Sequence, residues 1–265
     1  MMILRVKDLK KFYGEKAAVD GISFEVEKGE IFAILGPNGA GKTTTLKCIT
    51  GLRKRNSGEI ELNGTFTYLP EEKKLYPYLR VKEIIDLFKK IGKNFNEKNC
   101  LELLERFRID LNEKVTNLSH GMRTILYLSL VLSENVDLYI LDEPTWGLDP
   151  IVRNEILDHI RSLTFDGKSV LYTSHVLAEV EKIADEVAIM KEGKIILTGN
   201  LDDIKSSYGL VASRENLNGY LLKTLKSGEK VYLVKKEEAP EGVEIEDATF
   251  EDIFEAIVRG EINDR

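Results

Sequence analysis

Apolar and polar residues follow two different patterns along the chain. Short runs that are nearly all apolar or β-branched are typical of buried strands, and apolar residues at every third or fourth position are typical of helices. IFAIL (31–35), VDLYILD (136–142) and SVLYTS (169–174) have the first pattern, and a helical run follows each of them. Strands interleaved with helices predict an α/β fold.

Three regions depart from this alternation. Strand-like runs follow one another near the start of the chain, where we expect an antiparallel β region. Between Val81 and Leu132 helical runs come without strands, which indicates an inserted helical lobe at about 71–135. Residues 206–265 have two weak strand-like runs and a last helix, so we expect a main domain at 1–205 and a small α+β appendage at 206–265.

A glycine-rich loop follows the run IFAIL and precedes a helical run. GPNGAGKT (36–43) fits G-x-x-x-x-G-K-[ST] at every fixed position. Backbone N–H groups of such a loop, with the helix N-terminus, bind phosphate oxygens. Lys42 is expected to reach the β- and γ-phosphates and Thr43 to bind Mg²⁺, while Thr44 adds a hydroxyl. The predicted nucleotide-binding residues are Gly36, Pro37, Asn38, Gly39, Ala40, Gly41, Lys42, Thr43 and Thr44.

Two acidic residues end the run VDLYILD. Beside a phosphate-binding loop, Asp142 is expected to be the second protein ligand of Mg²⁺, and Glu143 to polarise a water towards the γ-phosphate. His175 ends a further strand that we expect to be parallel to, and next to, the Asp142 strand. Its position alone fits equally well a structural histidine and one that hydrogen-bonds the γ-phosphate or the attacking water.

Composition narrows the functional classes. The chain has 265 residues, 43% of them hydrophobic, and a net charge of −7, which speaks against nucleic acid as the main partner. Cys48 and Cys100 lie far apart and form no C-x-x-C motif, so a reduced cytosolic compartment is favoured. The longest apolar stretch, Ile125–Leu132, is too short to cross a bilayer. Work at a membrane would need a partner with spanning helices.

In their order along the chain, these motifs resemble the ATP-binding subunit of an ABC transporter. Residues 36–44 match the Walker A loop, LSHGM (118–122) the family signature, and Asp142 and Glu143 the Walker B aspartate and catalytic glutamate. Residues 147–149 match the D-loop. The resemblance makes His175 the switch histidine and gives catalytic roles to Lys42, Glu143 and His175.

The resemblance also implies a P-loop NTPase core with a mixed sheet and further site residues. Tyr13 falls where the family has an aromatic residue that stacks on adenine, and Ser119 and Gly121 are expected to donate a hydroxyl and a backbone N–H to phosphate oxygens. Glu71 stands where the family has a glutamine, and can face Mg²⁺ or its water. In the signature, His120 replaces a glycine and Met122 the glutamine.

The partners implied by the resemblance are a second ATP-binding domain, expected to be a second copy of this chain, and a separate integral membrane permease. Two domains would close around two ATP·Mg²⁺, with Ser119 and Gly121 completing the partner's site. We expect the protein at the cytoplasmic face of the cell membrane. The segment Y-L-P-E-E-K-K-L-Y-P-Y-L is similar to the branch that serves ABC-2-type exporters. Tyr76 and Tyr78 either receive a helix of the permease or pack within the lobe.

Other classes of function fit the motifs less well. A GTPase would carry a guanine-reading N-K-x-D, and no Asn-Lys pair occurs in the sequence. A small-molecule kinase would not need LSHGM, and a non-catalytic binding module would need a broken P-loop or a missing Glu143. The remaining alternative is a non-transport ABC ATPase that remodels a protein or nucleic-acid complex, against which the acidic composition speaks.

Overall fold

The structure, a computed structural model, describes residues 1–92, 94–240 and 243–259. Within these ranges the chain forms thirteen strands, eight α-helices and two short 3-10 helices. In chain order they are β1 (Met2–Tyr13), β2 (Lys16–Glu27), β3 (Ile31–Leu35), α1 (Lys42–Ile49), β4 (Ser57–Leu62), β5 (Phe66–Leu69), α2 (Val81–Ile91), α3 (Glu97–Arg106), a 3-10 helix (Val115–Asn117), α4 (His120–Leu132), β6 (Leu138–Asp142), α5 (Pro150–Phe165), β7 (Ser169–Ser174), α6 (Leu177–Ile183), β8 (Glu186–Lys191), β9 (Lys194–Asn200), α7 (Leu201–Ser207), β10 (Tyr208–Ser213), β11 (Tyr220–Thr224), β12 (Lys230–Lys235), a 3-10 helix (Lys236–Glu238), β13 (Glu246–Asp247) and α8 (Phe250–Arg259).

A six-stranded mixed sheet forms the centre of the molecule. Its order is β5-β6-β7-β3-β8-β9, with only the last pair, β8 and β9, antiparallel. Every residue of β3, β6 and β7 is buried, as their nearly continuous apolar runs predict for parallel strands covered on both faces. The α/β fold and the mixed sheet are therefore confirmed.

A separate antiparallel sheet, in the order β2-β1-β4, covers one face of the central sheet. Its apolar side chains share a core with α1 and with residues of β3 and β6. The rings of Phe24 and Phe32, one from each sheet, are stacked with centroids 5.1 Å apart. This sheet is the antiparallel region expected near the N-terminus.

Helices α2, α3 and α4 lie between β5 and β6 and pack on one another through α4. Helix α4 is the most buried of the three because its sequence, HGMRTILYLSLVL, is apolar on nearly every side. Ser119 caps it, since the hydroxyl accepts the N–H of Met122 at 3.2 Å. In the part of the chain that the structure describes, none of the helices is long and apolar enough to cross a bilayer.

After α7 the chain forms a second antiparallel sheet, in the order β11-β12-β10-β13, and ends in α8. Two of these strands, β10 and β13, were not predicted from the sequence. β10 follows directly on α7 without a separating turn, and β13 has only two residues. At the start of α8, Asp252 accepts the N–H of Thr249 and Thr249 Oγ1 accepts the N–H of Asp252, so the two residues form a reciprocal cap. A domain boundary at residue 205 stays a prediction.

Helix α8 packs on the central part of the fold. Phe250 and Ile253 are fully buried, in the same apolar cluster as Val180 of α6 and Ile189 of β8. The appendage and the nucleotide-binding part therefore share one core, and we expect them to unfold together.

We predict that Phe250→Ala lowers the free energy of unfolding by about 3–5 kcal/mol, because the ring leaves a cavity in that shared core. Urea unfolding followed by circular dichroism and by fluorescence of Trp146, the only tryptophan of the chain, should give coincident and equally shifted transitions. Glu251→Ala, at an exposed position of the same helix, is the control. An unshifted fluorescence transition would show that the appendage unfolds alone.

Candidate nucleotide site

The phosphate-binding loop connects β3 to α1 at the edge of the central sheet. Gly41 has φ +112°, and a Cβ there would lie 2.4 Å from the carbonyl oxygen of Ala18, so a side chain is excluded. Lys42 is buried, and its Nζ donates to the carbonyl oxygen of Gly36 at 2.7 Å. The loop thus turns tightly around a lysine ammonium whose position is fixed.

A cavity of about 420 Å³ lies over this loop. Its lining residues are Tyr13, Lys16, Ala18, Asn38, Gly39, Ala40, Gly41, Lys42, Thr43, Thr44, Glu71 and Glu143. Tyr13 is half-exposed at the rim, and the Nζ of Lys11 lies 5.0 Å from its ring centroid. The structure therefore brings Tyr13 and Glu71, which are distant from the loop in sequence, to the same cavity.

The three residues proposed as metal ligands meet at this cavity: Thr43 and Glu71 line it, and Asp142 lies buried behind Thr43. Thr43 Oγ1 lies 3.1 Å from Asp142 Oδ1 and 3.3 Å from Glu71 Oε2. Thr43 is in the first turn of α1, Asp142 ends β6, and Glu71 follows β5. They meet because β5 and β6 are neighbouring parallel strands and both deliver their carboxyl ends to the edge where α1 begins.

Asp142 is fully buried, and this burial raises the pKa of its carboxyl above the ordinary value. Hydrogen bonds to the carboxylate lower the pKa, but the effect of burial is larger. The hydroxyl of Thr173 donates to its Oδ1 at 2.7 Å, and the hydroxyl of Tyr68 lies 3.3 Å from its Oδ2. A buried carboxylate with a raised pKa is stabilised by a cation, so this is an electrostatic reason for a metal ion here.

Oxygen donors of this kind suit Mg²⁺, which is usually held by one or two carboxylates together with substrate phosphates. Among the described residues, no group of three or more His, Cys, Asp or Glu side chains could hold a metal by itself. The hydroxyl of Thr43 and the carboxylates of Asp142 and Glu71 therefore fit an ion that is shared with a phosphate.

The side chain of Glu143 lies between Lys42 and His175. Its Oε1 is 3.4 Å from Lys42 Nζ, and its Oε2 is 2.8 Å from His175 Nδ1. The backbone of Glu143 has φ +46°, a conformation that non-glycine residues rarely adopt and that often occurs at functional sites. The prediction that the strands ending in Asp142 and before His175 are parallel neighbours is confirmed, since β6 pairs with β7.

Ser119 and Gly121 do not line the cavity. Ser119 is exposed and Gly121 lies in the first turn of α4. Beside them, the rings of His120 and Trp146 meet edge to face with centroids 4.8 Å apart. His120 also occupies the space over Gly147, where a Cβ would come within 2.4 Å of its Nδ1. The departure from a glycine at position 120 is thus matched by a bulky neighbour at position 146.

Sequence reasoning missed three side chains at this site. Thr173 and Tyr68 hydrogen-bond Asp142, and the Nζ of Lys73 donates to the carbonyl oxygens of Glu71 and Glu143, both at 3.2 Å. Burial lowers the pKa of Lys73. Thr173 could have been found, since it is a polar residue in a buried strand directly opposite Asp142. Lys73 lies in the charged run EEKK and gives no such signal.

The comparisons with known proteins agree with this geometry. The family model for ABC transporters matches residues 19–146. An uncharacterised ABC transporter ATP-binding protein of Methanocaldococcus jannaschii is 34% identical over 95% of this chain and 97% of its own length. The linearmycin resistance ATP-binding protein of Bacillus subtilis is 37% identical over 78% of this chain and 72% of its own length.

Two solved structures extend the likeness to three dimensions. The ATP-binding subunit of an ABC transporter aligns with a TM-score of 0.71 at 32% identity, over 77% of this chain and 92% of its own. A dimeric ATP-binding cassette, solved in a post-hydrolysis state with ADP and phosphate, aligns with a TM-score of 0.68 at 23% identity over 75% and 98%.

The chain therefore belongs to the family of ABC transporter ATP-binding proteins. It is an ATPase, and its work is ATP binding and hydrolysis as a subunit of a transporter.

Burial raises the pKa of the Asp142 carboxyl in the folded state, so the folded state binds its proton more tightly than the unfolded state does. The stability that this proton contributes is present at low pH and is lost as the pH rises through the raised pKa. We predict that Asp142→Asn is more stable than the wild type at pH 7 without Mg²⁺ and nucleotide, with a difference that shrinks towards pH 4. Urea unfolding at both pH values measures it. Asp149→Asn, at an exposed helix cap, should show no such gain. A gap independent of pH would contradict the prediction.

Proposed function

We propose that this protein hydrolyses ATP·Mg²⁺ in a closed dimer and thereby drives export through a separate membrane subunit. The observation that carries the proposal is that Lys42, Thr43 and Glu143 line one cavity at the phosphate-binding loop. Asp142 lies buried directly behind Thr43, with its Oδ1 3.1 Å from Thr43 Oγ1. Phosphoryl transfer to water needs an ammonium for the phosphates, a hydroxyl and a carboxylate for the metal ion, and a second carboxylate for the attacking water.

In this proposal the loop residues 36–44 hold the phosphates through backbone N–H groups, and Lys42 neutralises charge on the β- and γ-phosphates. Tyr13, at the rim of the cavity, stacks on the adenine. Thr43 and Asp142 hold Mg²⁺, and Glu71 faces the ion or one of its waters. When bound, the ion neutralises phosphate charge that develops during the reaction.

Glu143 is proposed to orient and polarise the attacking water. Its carboxylate lies at the cavity, between Lys42 and His175. His175, 2.8 Å from Glu143, is proposed to hydrogen-bond the γ-phosphate or this water. Catalysis then consists of positioning and electrostatic stabilisation, without a covalent intermediate.

Ser119 and Gly121 are proposed to act on a nucleotide of a second copy of this chain. Their place outside the cavity that contains Lys42 supports this, because their hydroxyl and N–H have no nucleotide to reach within the same copy. A related cassette is described as a dimer after hydrolysis, with ADP and phosphate. Loss of the γ-phosphate would remove contacts that hold the two copies together, and the dimer would reopen.

The membrane subunit is proposed to dock beside Tyr76 and Tyr78. Both side chains are exposed, at 64% and 84%, and they lie in the segment between β5 and the helices of the lobe. Adjacent exposed aromatic rings favour the docking interpretation over packing within the lobe. A relative named for linearmycin resistance supports export as the direction. Such an assembly places the protein at the cytoplasmic face of the membrane.

We predict that Glu143→Gln reduces ATP turnover at least about 100-fold, because the amide no longer accepts a proton from the attacking water. ATP binding should be retained, and size-exclusion chromatography with ATP should show an accumulated dimer. Glu72→Gln, an exposed acid near the cavity, is the matched control and should keep wild-type turnover. Near-normal hydrolysis by Glu143→Gln would refute the role of Glu143.

Replacement of both Tyr76 and Tyr78 by Ala should release the membrane subunit, since the docking surface loses two aromatic rings. Co-purification from solubilised membranes measures the complex, and ATP binding by the isolated chain should be unchanged. Ile91→Ala removes another exposed apolar side chain of the lobe and should leave the complex intact. If the complex with the tyrosine double variant survives, the proposed docking surface is wrong.

A further inference from the structure

A buried carboxylate lies behind the site, on the helix that follows His175. Glu179 of α6 is only 3% exposed. Its Oε2 accepts hydrogen bonds from Thr145 Oγ1 at 2.8 Å, from Ser174 Oγ at 3.1 Å and from the hydroxyl of Tyr172. Its Oε1 lies 3.2 Å from Nε of Arg153. Glu179 does not line the nucleotide cavity.

The carboxyl group of Glu179 is both paired and hydrogen-bonded in this place. A buried carboxylate is costly unless it is paired and hydrogen-bonded, and here one guanidinium and three hydroxyls surround it. Burial raises the pKa of Tyr172 well above its usual range, so its hydroxyl stays protonated and donates to Glu179. The network is therefore an arrangement of several donors around one carboxyl group.

The donors come from the two segments that carry Glu143 and His175. Thr145 lies two residues after Glu143, and Ser174 lies directly before His175. Ser174 Oγ also accepts the N–H of Val176 at 2.9 Å, so the residues on both sides of His175 are tied to the same network. Glu179 thus joins the turn after β6 to the end of β7.

We propose that Glu179 is a positioning residue for hydrolysis: it fixes the two segments so that Glu143 and His175 keep their contact of 2.8 Å. The inference rests on the proposed roles of Glu143 and His175. It adds a carboxylate that touches neither the nucleotide nor the metal but sets the distance between the groups that act on the water. Small displacements of such groups reduce turnover strongly.

The first test is Glu179→Gln, which keeps the shape of the side chain but loses the charge and one acceptor oxygen. We expect the kcat for ATP hydrolysis to fall roughly tenfold, as for other groups that orient catalytic side chains, while nucleotide binding and KM stay unchanged. Glu181→Gln is the matched control, because Glu181 is exposed on the same helix and pairs with Lys205. It should keep wild-type kcat.

A double-mutant cycle with His175→Ala separates positioning from a general loss of stability. If Glu179 acts through His175, Glu179→Gln causes less than about a twofold further loss of kcat in the His175→Ala background. An additional tenfold loss in that background would overturn the inference. The inference would also be overturned if Glu179→Gln had the kcat of the wild type while His175→Ala had a reduced kcat. That outcome would leave the proposed function intact. Full turnover by His175→Ala would overturn the inference and the proposed role of His175, but not the proposed ATP hydrolysis.

Circular dichroism must show that each variant is folded. If Glu179→Gln is not folded, the same cycle is carried out with Thr145→Val and Tyr172→Phe, which each remove one hydroxyl donor and keep the volume of the side chain. Each variant should lower kcat about threefold, because it removes only one of the hydrogen bonds to the shared acceptor. In the His175→Ala background, neither variant should lower kcat further. Unchanged kcat in both folded variants would overturn the inference.

Discussion

The parallel pairing of β6, β7 and β3 is the constraint on which the rest of the site depends. These three strands end at the same edge of the sheet, and their carboxyl ends carry Asp142, His175 and the phosphate-binding loop. No side chain could bring these groups together if one strand ran in the opposite direction. Every residue of these three strands is buried, so a shift of register would force each side chain into a packing site of a different shape, and packing therefore fixes the chemistry in place.

Much of this arrangement could be predicted from the sequence, for identifiable reasons. The loop 36–43 is a local motif whose backbone needs specific glycines, and continuous apolar runs identified β6 and β7 as buried strands. The role of Asp142 could be predicted because it is an acidic residue at the end of such an apolar run. Tyr13 and Glu71 were reached only through the likeness to a family, since no local pattern connects them with the loop.

The contacts that depend on tertiary packing could not be predicted. Glu179 reads in sequence as an ordinary acid of an amphipathic helix, and only the packing of α6 against β7 and α5 shows that it is buried. The same holds for His120, which in the sequence is an isolated departure from the family signature, and for its contact with Trp146. In the structure the two rings are in contact, so the histidine and the tryptophan form one feature. Pairs that compensate each other are invisible when positions are considered one at a time.

The attachment of α8 to α6 and β8 joins the end of the described chain to the part of the fold that carries His175.

The positive φ of Glu143 also restricts how the chain can vary over evolutionary time. A left-handed backbone excludes β-branched residues such as Val, Ile and Thr on steric grounds, whatever the chemistry of the site. The residues that tolerate it most readily are Gly, Asn and Asp, which are shorter than glutamate and would not reach the same point in the cavity. Position 143 is therefore constrained from two independent directions, by backbone shape and by side-chain length.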